Sequence, residues 1–450
     1  MLDQGSLNVV AHVRRSHLAD LETLLESMSP DPGGNGTLPF ESFPNIHFAR
    51  FVVLPESVDH RGNGVPPTLV LATNFDGGLR AHLGDLVRVA GKGLDEVFGH
   101  CEDYPSPDKR SEASRMSFLQ AHRVKTNTLF VNTRGRTVEQ VARERSLRET
   151  IQAFLSSRDW SGVSALEVVD AIKAFVREEP KLGWALEPPE SAFGFRLIRT
   201  LKLVGFALGA LALTAALFVF PLLIFVYPQL MYDFPFLILF FPLPWVGLIL
   251  FLAILRFHEL KNIPDDFRPP NDRLRENESP EDIGTHNQVS TIGFLQKGLF
   301  RRGLVRIILC LVNFGTENLF YRGHLAGVDT IHFARWVMIE RGRVFFFSNY
   351  DGSLESYNDD FVDRIPYGLN LIFSNAQGWP RTRFLIFGGA RDGQAFKLYL
   401  RDHQIRTHVW YVAPPNRGLT AANVARNTKI RAGIGRQLNA AQAAAWLRLL

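Results

Sequence analysis

The residues best suited to chemistry in this sequence come in matched sets. Ile46-His47-Phe48-Ala49-Arg50 returns as Ile331-His332-Phe333-Ala334-Arg335, and Asn74-Phe75-Asp76-Gly77 returns as Asn349-Tyr350-Asp351-Gly352. An imidazole, a guanidinium and a carboxylate are the groups of proton transfer and anion recognition. His47, Arg50 and Asp76, with His332, Arg335 and Asp351 as their equivalents, are therefore candidate catalytic residues. Two arguments favour structural roles. Residues three apart on a strand face opposite sides of the sheet, so His47 and Arg50 form no local pair unaided. An Asp-Gly step is a turn first, with Asp capping the following helix and Gly supplying a permissive backbone. His100-Cys101-Glu102, with His122, is a further candidate cluster for a metal or a reactive thiol. The second half has Asn375-Ala376-Gln377 there and keeps only His403, which would confine such a site to the first half. Adjacent His and Cys on a strand would diverge, so no metal site is expected from this spacing. No phosphate-binding glycine loop, Gly-x-Ser-x-Gly elbow or Cys-x-x-Cys pair occurs.

The matching extends well beyond these residues. Gly93-Leu94, Phe98 and Tyr104-Pro105 answer Gly368-Leu369, Phe373 and Trp379-Pro380, and Val141-Ala142-Arg143 answers Val424-Ala425-Arg426. Conserved order and spacing over so long a stretch indicate a tandem duplication. Within one copy, His332 to Ile339 and Val344 to Asn349 predict strands joined at Arg341-Gly342-Arg343. Leu354 to Asp363 predicts a helix and Leu369 to Ser374 a third strand. A helix near Gln394 to His403, a strand from Thr407 to Val412 and a helix capped by Thr420 complete the copy, with Phe384 to Phe387 as an extra strand. The expected fold class is α+β, two tandem ferredoxin-like modules flanking a two-helix transmembrane hairpin.

That hairpin rests on two charge-free runs, Leu203 to Val226 and Phe234 to Leu255, each long enough to cross a bilayer. Arg196, Arg199, Lys202, Arg256 and Lys261 flank them, and the intervening turn has no Lys or Arg. The positive-inside rule then places both termini and both modules in the cytoplasm, in a bacterial inner membrane. No ionisable group falls mid-span, which argues against a proton or ion pathway. Farther on, Lys297, Arg301, Arg302 and Arg306 gather on an otherwise apolar helix expected to lie in the lipid interface as a membrane-surface binding element. The expected organisation is an N-terminal helix and flexible segment (1–40), copy 1 (41–155), a helical connector (156–200), the hairpin (201–256), a linker (257–290), the interfacial helix (291–325), copy 2 (326–436) and a helical tail (437–450).

The chain has 450 residues, 50 Lys+Arg against 45 Asp+Glu and only two cysteines, Cys101 and Cys310. So small a positive excess excludes the concentrated basic stripe of a nucleic-acid binder, and two cysteines exclude a disulfide framework. The strings His-Phe-Ala-Arg, Asn-Tyr-Asp-Gly-Ser and His-Cys-Glu-x-Tyr-Pro resemble those of an uncharacterised bacterial family of membrane-associated proteins, sometimes associated with haem peroxidases of the dye-decolourising kind. That resemblance implies haem as a cofactor, although the peroxidases' Gly-x-x-Asp-Gly motif is broken by Thr73 and Ser348 and no proximal histidine is identifiable. The resulting expectation is a membrane-anchored scaffold binding the bilayer and a partner protein such as a peroxidase, with homo-oligomers allowed. The alternative is a membrane-bound oxidoreductase acting on an apolar, lipid-like substrate.

Overall fold

The computed structural model describes residues 4–58, 62–187, 193–219, 222–223, 226–227, 229–233, 243–264, 281–282, 284–320 and 323–450. Most of the expected linker, the start of the second apolar run, and Pro221, Pro235 and Pro242 lie outside them. Eight principal strands are β1 (Gln4–His12), β2 (Ile46–Leu54), β3 (Thr68–Asp76), β4 (Thr128–Val131), β5 (His286–Phe294), β6 (Ile331–Met338), β7 (Arg343–Asp351) and β8 (Val409–Val412). They form two antiparallel sheets of matching order, β1-β3-β2-β8 and β5-β7-β6-β4. Each sheet thus takes three strands from one half of the chain and its fourth from the other.

The exchange also joins the sheets at their sides. After α3 (Glu112–Ala121) the backbone bonds to β1, through Val10 N to His122 O and Val124 N to Asn8 O, both 2.9 Å, before entering β4 beside β6. After α11 (Gly393–His403) Ile405 N donates to Ser290 O at 2.9 Å before the chain enters β8 beside β2. Together these links close the two sheets into a flattened barrel whose strand edges find partners in each other.

Alternation sorts the side chains. Val52, Leu54, Val70, Ala72, Val337, Phe345 and Phe347 fill the space between the sheets. The opposite faces pack beneath helices: α1 (Leu18–Met28), α2 (Leu79–Phe98) and α3 on the first sheet, and α8 (Leu299–Asn318), α9 (Leu354–Arg364), α10 (Pro366–Phe373) and α11 on the second. With both faces covered, β2, β3 and β7 are buried along their whole length. Each fully buried aliphatic or aromatic side chain there contributes about 1.5–3 kcal/mol. A separate helical cluster stands at one end, made of α4 (Val138–Ser156), α5 (Ala165–Glu178), α12 (Ala421–Ile434) and α13 (Ala440–Leu447).

Two of the expected strands are corrected. Leu369 to Ser374 lies largely in α10, because Pro366 starts a helix whose Leu369, Ile372 and Phe373 fall on one buried face. Phe384 to Phe387 is a turn, with Phe384 and Leu385 at positive φ and only a two-residue ladder around it. The helices from Leu354 and Thr420 form as expected, the second with Thr420 accepting from Asn423 N at 3.1 Å.

Among the described residues, two helices are long and apolar enough to cross a membrane, Leu197–Val219 and Leu243–Leu260. The first lies mainly in α6 (Phe193–Thr214) and the second is α7. Their apolar side chains face outward, Leu201, Leu208, Leu211 and Ile249 among them. Both are fastened to the body. Lys202 pairs with Glu317 at 3.6 Å and Phe206 stacks on Phe314 of α8 at 4.9 Å. At the end of α7 the buried Glu259 carboxylate accepts from Thr382 Oγ1 and from the Phe384 and Leu385 amides at 2.8–3.0 Å.

Candidate functional site

The matched sets of His and Asp converge at one end of the barrel, beside the starts of α4 and α12. Strand register puts Gln4 opposite Asp76 and His286 opposite Asp351. A bulge at the head of β2, between Ile46 and Phe48, and another at the head of β6, between Ile331 and Phe333, break the alternation there. His47 and His332 thereby reach the end carboxylates of the adjacent strands. His47 Nε2 donates to Asp76 Oδ1 at 2.8 Å, and His332 Nε2 to Asp351 Oδ1 at 2.7 Å. The other carboxylate oxygens accept the first amides of two helices, Val138 N at 2.7 Å and Ala421 N at 2.6 Å. Asp76 and Asp351 therefore cap α4 and α12, distant in sequence, rather than the helices that follow them.

The two pairs face each other. His47 packs against Phe333 at 5.2 Å and Phe48 against His332 at 5.5 Å. His47, His332, Gln4 and Asn416 line a cavity of about 30 Å³ between them, the space of one water. The Asn416 amide donates to His47 Nδ1 at 3.4 Å, which fits a neutral ring carrying its proton on Nε2. Burial lowers the pKa of His332 despite the neighbouring carboxylate. Burial also opposes ionisation of Asp351, yet His332, His286 and the Ala421 amide outweigh it and hold that carboxyl at about 2.

The two sites differ in what the edge strand brings to the aspartate. Gln4 donates to Arg136 O at 2.7 Å and accepts from Gly135 N at 2.9 Å. At the matching place His286 donates through Nε2 to Asn416 O at 2.7 Å, while its Nδ1 lies 3.0 Å from Asp351 Oδ1. His286 also borders an open cleft of about 400 Å³ with Asp31, Trp410, Tyr411 and Arg417. Gln4, His286 and Asn416 were not among the candidates read from the sequence. They lie outside the strings that repeat; strand pairing brings Gln4 and His286 to the aspartates, and the turn after β8 brings Asn416 to the histidines.

Arg50 and Arg335 are placed elsewhere, crossing between the sheets in opposite directions. Arg50 donates to Val289 O and Ser348 O, both at 3.0 Å, and to Ser290 Oγ and Asn349 Oδ1. Arg335 donates to Leu7 O and Thr73 O, both at 3.0 Å, and to Asn8 and Asn74. The two guanidiniums lie over the Phe347 ring at 5.1 and 5.7 Å. These partners are neutral oxygens, and burial lowers both pKa values, that of Arg335 to about 9. Each is a latch between sheets.

His100 and Cys101 separate from His47 and Asp76. They follow α2, in a turn rather than a strand, and Cys101 bridges Val13 just past the far end of β1. Nine residues at about 3.3 Å each put most of the barrel's length between the two places. Burial pushes the Cys101 thiol up to about 12, so it carries little thiolate. His100 stands edge-on to His17 at 5.5 Å, and burial lowers its pKa. The expected five-residue set is thus not one site.

The basic residues around α8 also divide. Arg301 is buried and donates to Ser374 O, so it is not presented to a membrane surface. Arg302 is half-buried near Gly342, while Lys297 and Arg306 are exposed. The helix packs on β4, through Thr128 Oγ1 donating to Leu309 O at 2.8 Å. A second feature opens along α8: an apolar groove of about 320 Å³ between α8 and α10, lined by Leu311, Gly315, Leu319, Trp336, Ile365 and Leu369 among others.

A haem does not fit at the histidines. The inter-sheet space is filled by aliphatic and aromatic side chains, the cavity between His47 and His332 is water-sized, and both imidazoles bond to carboxylates. Comparison with known proteins gives no match: none to a family model, none to a curated protein and none to a solved structure.

Proposed function

We propose that this chain is a membrane-anchored binding protein, a tandem duplication of ferredoxin-like halves, that holds the acyl chain of a bilayer lipid in the groove between α8 and α10. The groove carries this reading. Its lining is almost wholly apolar, with Thr316, Trp336 and Tyr367 the side chains that carry a polar atom, and its volume suits part of one alkyl chain. One wall is α8, the helix on which α6 is seated through Phe206 and Lys202. A lipid leaving the layer around α6 would therefore meet the groove without crossing water. Exposed apolar side chains along α6 and α7 support the anchor, since so large a greasy surface is not stable in water. The excess of Lys and Arg on the flanks supports a cytoplasmic body in an inner membrane, and exposed Lys297 and Arg306 suit anionic headgroups.

The test is lipid extraction and native mass spectrometry of the detergent-purified chain, paired with displacement of a fluorescent fatty acid. Wild type should retain lipid and bind the probe, and Gly315→Phe, which fills the groove, should lose both. Equal binding by the variant would refute the groove as the site.

The facing His–Asp pairs favour a second reading, an enzyme on a lipid-like substrate, because hydrogen-bonded imidazole and carboxylate groups beside a cavity are the components of acid–base catalysis. Its substrate would approach through the cleft beside His286, and turnover lost in His47→Gln with lipid retention intact would favour it.

A further inference from the structure

We propose that His286, His332 and Asp351 bind one divalent first-row transition-metal ion, of the zinc or ferrous-iron class. The three side chains are all buried, and their ligating atoms lie within 4.8 Å of one another. They come from β5, β6 and β7, three strands locked in one sheet, so the set is held by backbone pairing rather than by a flexible loop.

Hydrogen-bond polarity carries the argument. Asn416 O only accepts, so His286 Nε2 must bear a proton to meet it at 2.7 Å. A neutral ring so arranged aims its Nδ1 lone pair at Asp351 Oδ1, 3.0 Å away. The same oxygen lies 2.7 Å from His332 Nε2, whose proton an ion would displace on binding. A nitrogen lone pair and a carboxylate oxygen repel at that distance unless a positive charge lies between them, either a second ring proton or a metal ion. A metal ion satisfies both, and leaves Nε2–H bonded to a carbonyl as metal-bound histidines usually are. The free carboxylate oxygen is oriented in turn by Ala421 N.

Bonds of about 2.0–2.2 Å to nitrogen and oxygen hold tetrahedral ligands about 3.3 Å apart. The two spacings to Asp351 Oδ1 are shorter, at 2.7 and 3.0 Å, and the widest separation reaches 4.8 Å, so an ion would draw the two imidazoles together and away from the carboxylate. Two imidazoles and one carboxylate are a donor set suited to zinc or ferrous iron, with positions left for water. The cleft of about 400 Å³ that His286 borders supplies a route for the ion. The first half provides an internal control, since Gln4 takes the place of His286 there and its amide meets Arg136 O and Gly135 N without offering a ring nitrogen. The site therefore belongs to the second half alone, and it is independent of the α8–α10 groove.

The full chain, purified in detergent and stripped with a chelator, would be titrated with Co(II) alone. One equivalent should bind with visible ligand-field bands, zinc should displace it, and Zn(II) should raise the melting temperature. His286→Gln installs the residue the first half already carries at this place, so it should fold. It should weaken Co(II) binding by about 100-fold or more, whereas His47→Gln should leave it unchanged. Wild type without ligand-field bands at saturating Co(II) overturns the proposal outright, whatever the variants do. Bands that persist unchanged in His286→Gln overturn it as well.

Discussion

Removing one arginine latch tests how the sheets are held together. Replacing Arg335 by Ala removes a second hydrogen bond from the carbonyls of Leu7 and Thr73, which it serves at 3.0 Å each and which also face each other in the β1–β3 ladder. The amides of Asn8 and Asn74 are less costly to abandon, because they can turn to other partners. A hydrogen bond from a charged donor contributes about 1.5–3 kcal/mol net, so two contribute about 3–6 kcal/mol. Relief of a buried charge offsets part of this, leaving a net loss of about 2–4 kcal/mol. Arg50→Ala removes the corresponding second bond from Val289 O and Ser348 O, themselves paired in the ladder, and should cost about the same. The double variant separates a latch from mere packing. Both guanidiniums lie over Phe347, hence within about 11 Å of each other, where like charges at an effective dielectric of about 20 repel by about 1–2 kcal/mol. Each single substitution gains that relief, but the double substitution gains it only once. The double loss should therefore exceed the sum of the single losses by about 1–2 kcal/mol. Urea titration of the detergent-solubilised chain, followed by tryptophan fluorescence, reads all four states. A single loss below about 1 kcal/mol, or a double loss no greater than the sum, would refute the reasoning.

Burial lowers the pKa of His82 and of His408 from 6.5 to about 4. Both are neutral in the fold and take protons more readily when unfolded, so their stability is complete above pH 6.5 and falls toward pH 4, by about 3 kcal/mol each. His82→Asn should flatten that part of a pH–stability profile, and an unchanged slope would count against it. Iodoacetamide on the native chain at mildly alkaline pH should spare Cys101, whose thiol is buried and held up to about 12; peptide mass spectrometry showing rapid labelling there would contradict its inert assignment. Gly93→Ala would set a Cβ 1.7 Å from Thr37 O, so thermal melting should report a loss above about 3 kcal/mol, and a near-neutral result would mean that the loop moves freely. Glu259→Ala leaves the Phe384 and Leu385 amides without their acceptor and should raise protease sensitivity around 382–388 before the core unfolds.

The strands at Ile46 and Ile331, the turns at Gly77 and Gly352 and the two apolar helices were legible because alternation, glycine and hydropathy are local signals. What escaped was non-local. The bulges before Phe48 and Phe333 turn His47 and His332 toward aspartates that simple alternation assigns elsewhere. His286 is not repeated, since its counterpart is Gln4, so internal matching passed over the residue that distinguishes the halves. Leu369 to Ser374 has the composition of a buried strand, and a short apolar run does not reveal its own period. Arg301 looked like a surface cation because one strand of sequence cannot show that Ser374 O awaits it.

The exchanged strands set a timetable for synthesis. Sheet one waits for Val409–Val412, made long after its other three strands, while β2 offers Phe48 to Phe51 as an open edge. During that interval the apolar helices emerge, and β4 must wait for β6. Pairings spanning hundreds of residues are slow to form and leave edges exposed to neighbouring chains. A ribosome held at the membrane would keep nascent copies apart until the last strand arrives. Anchoring would then serve assembly of the molecule as much as its address.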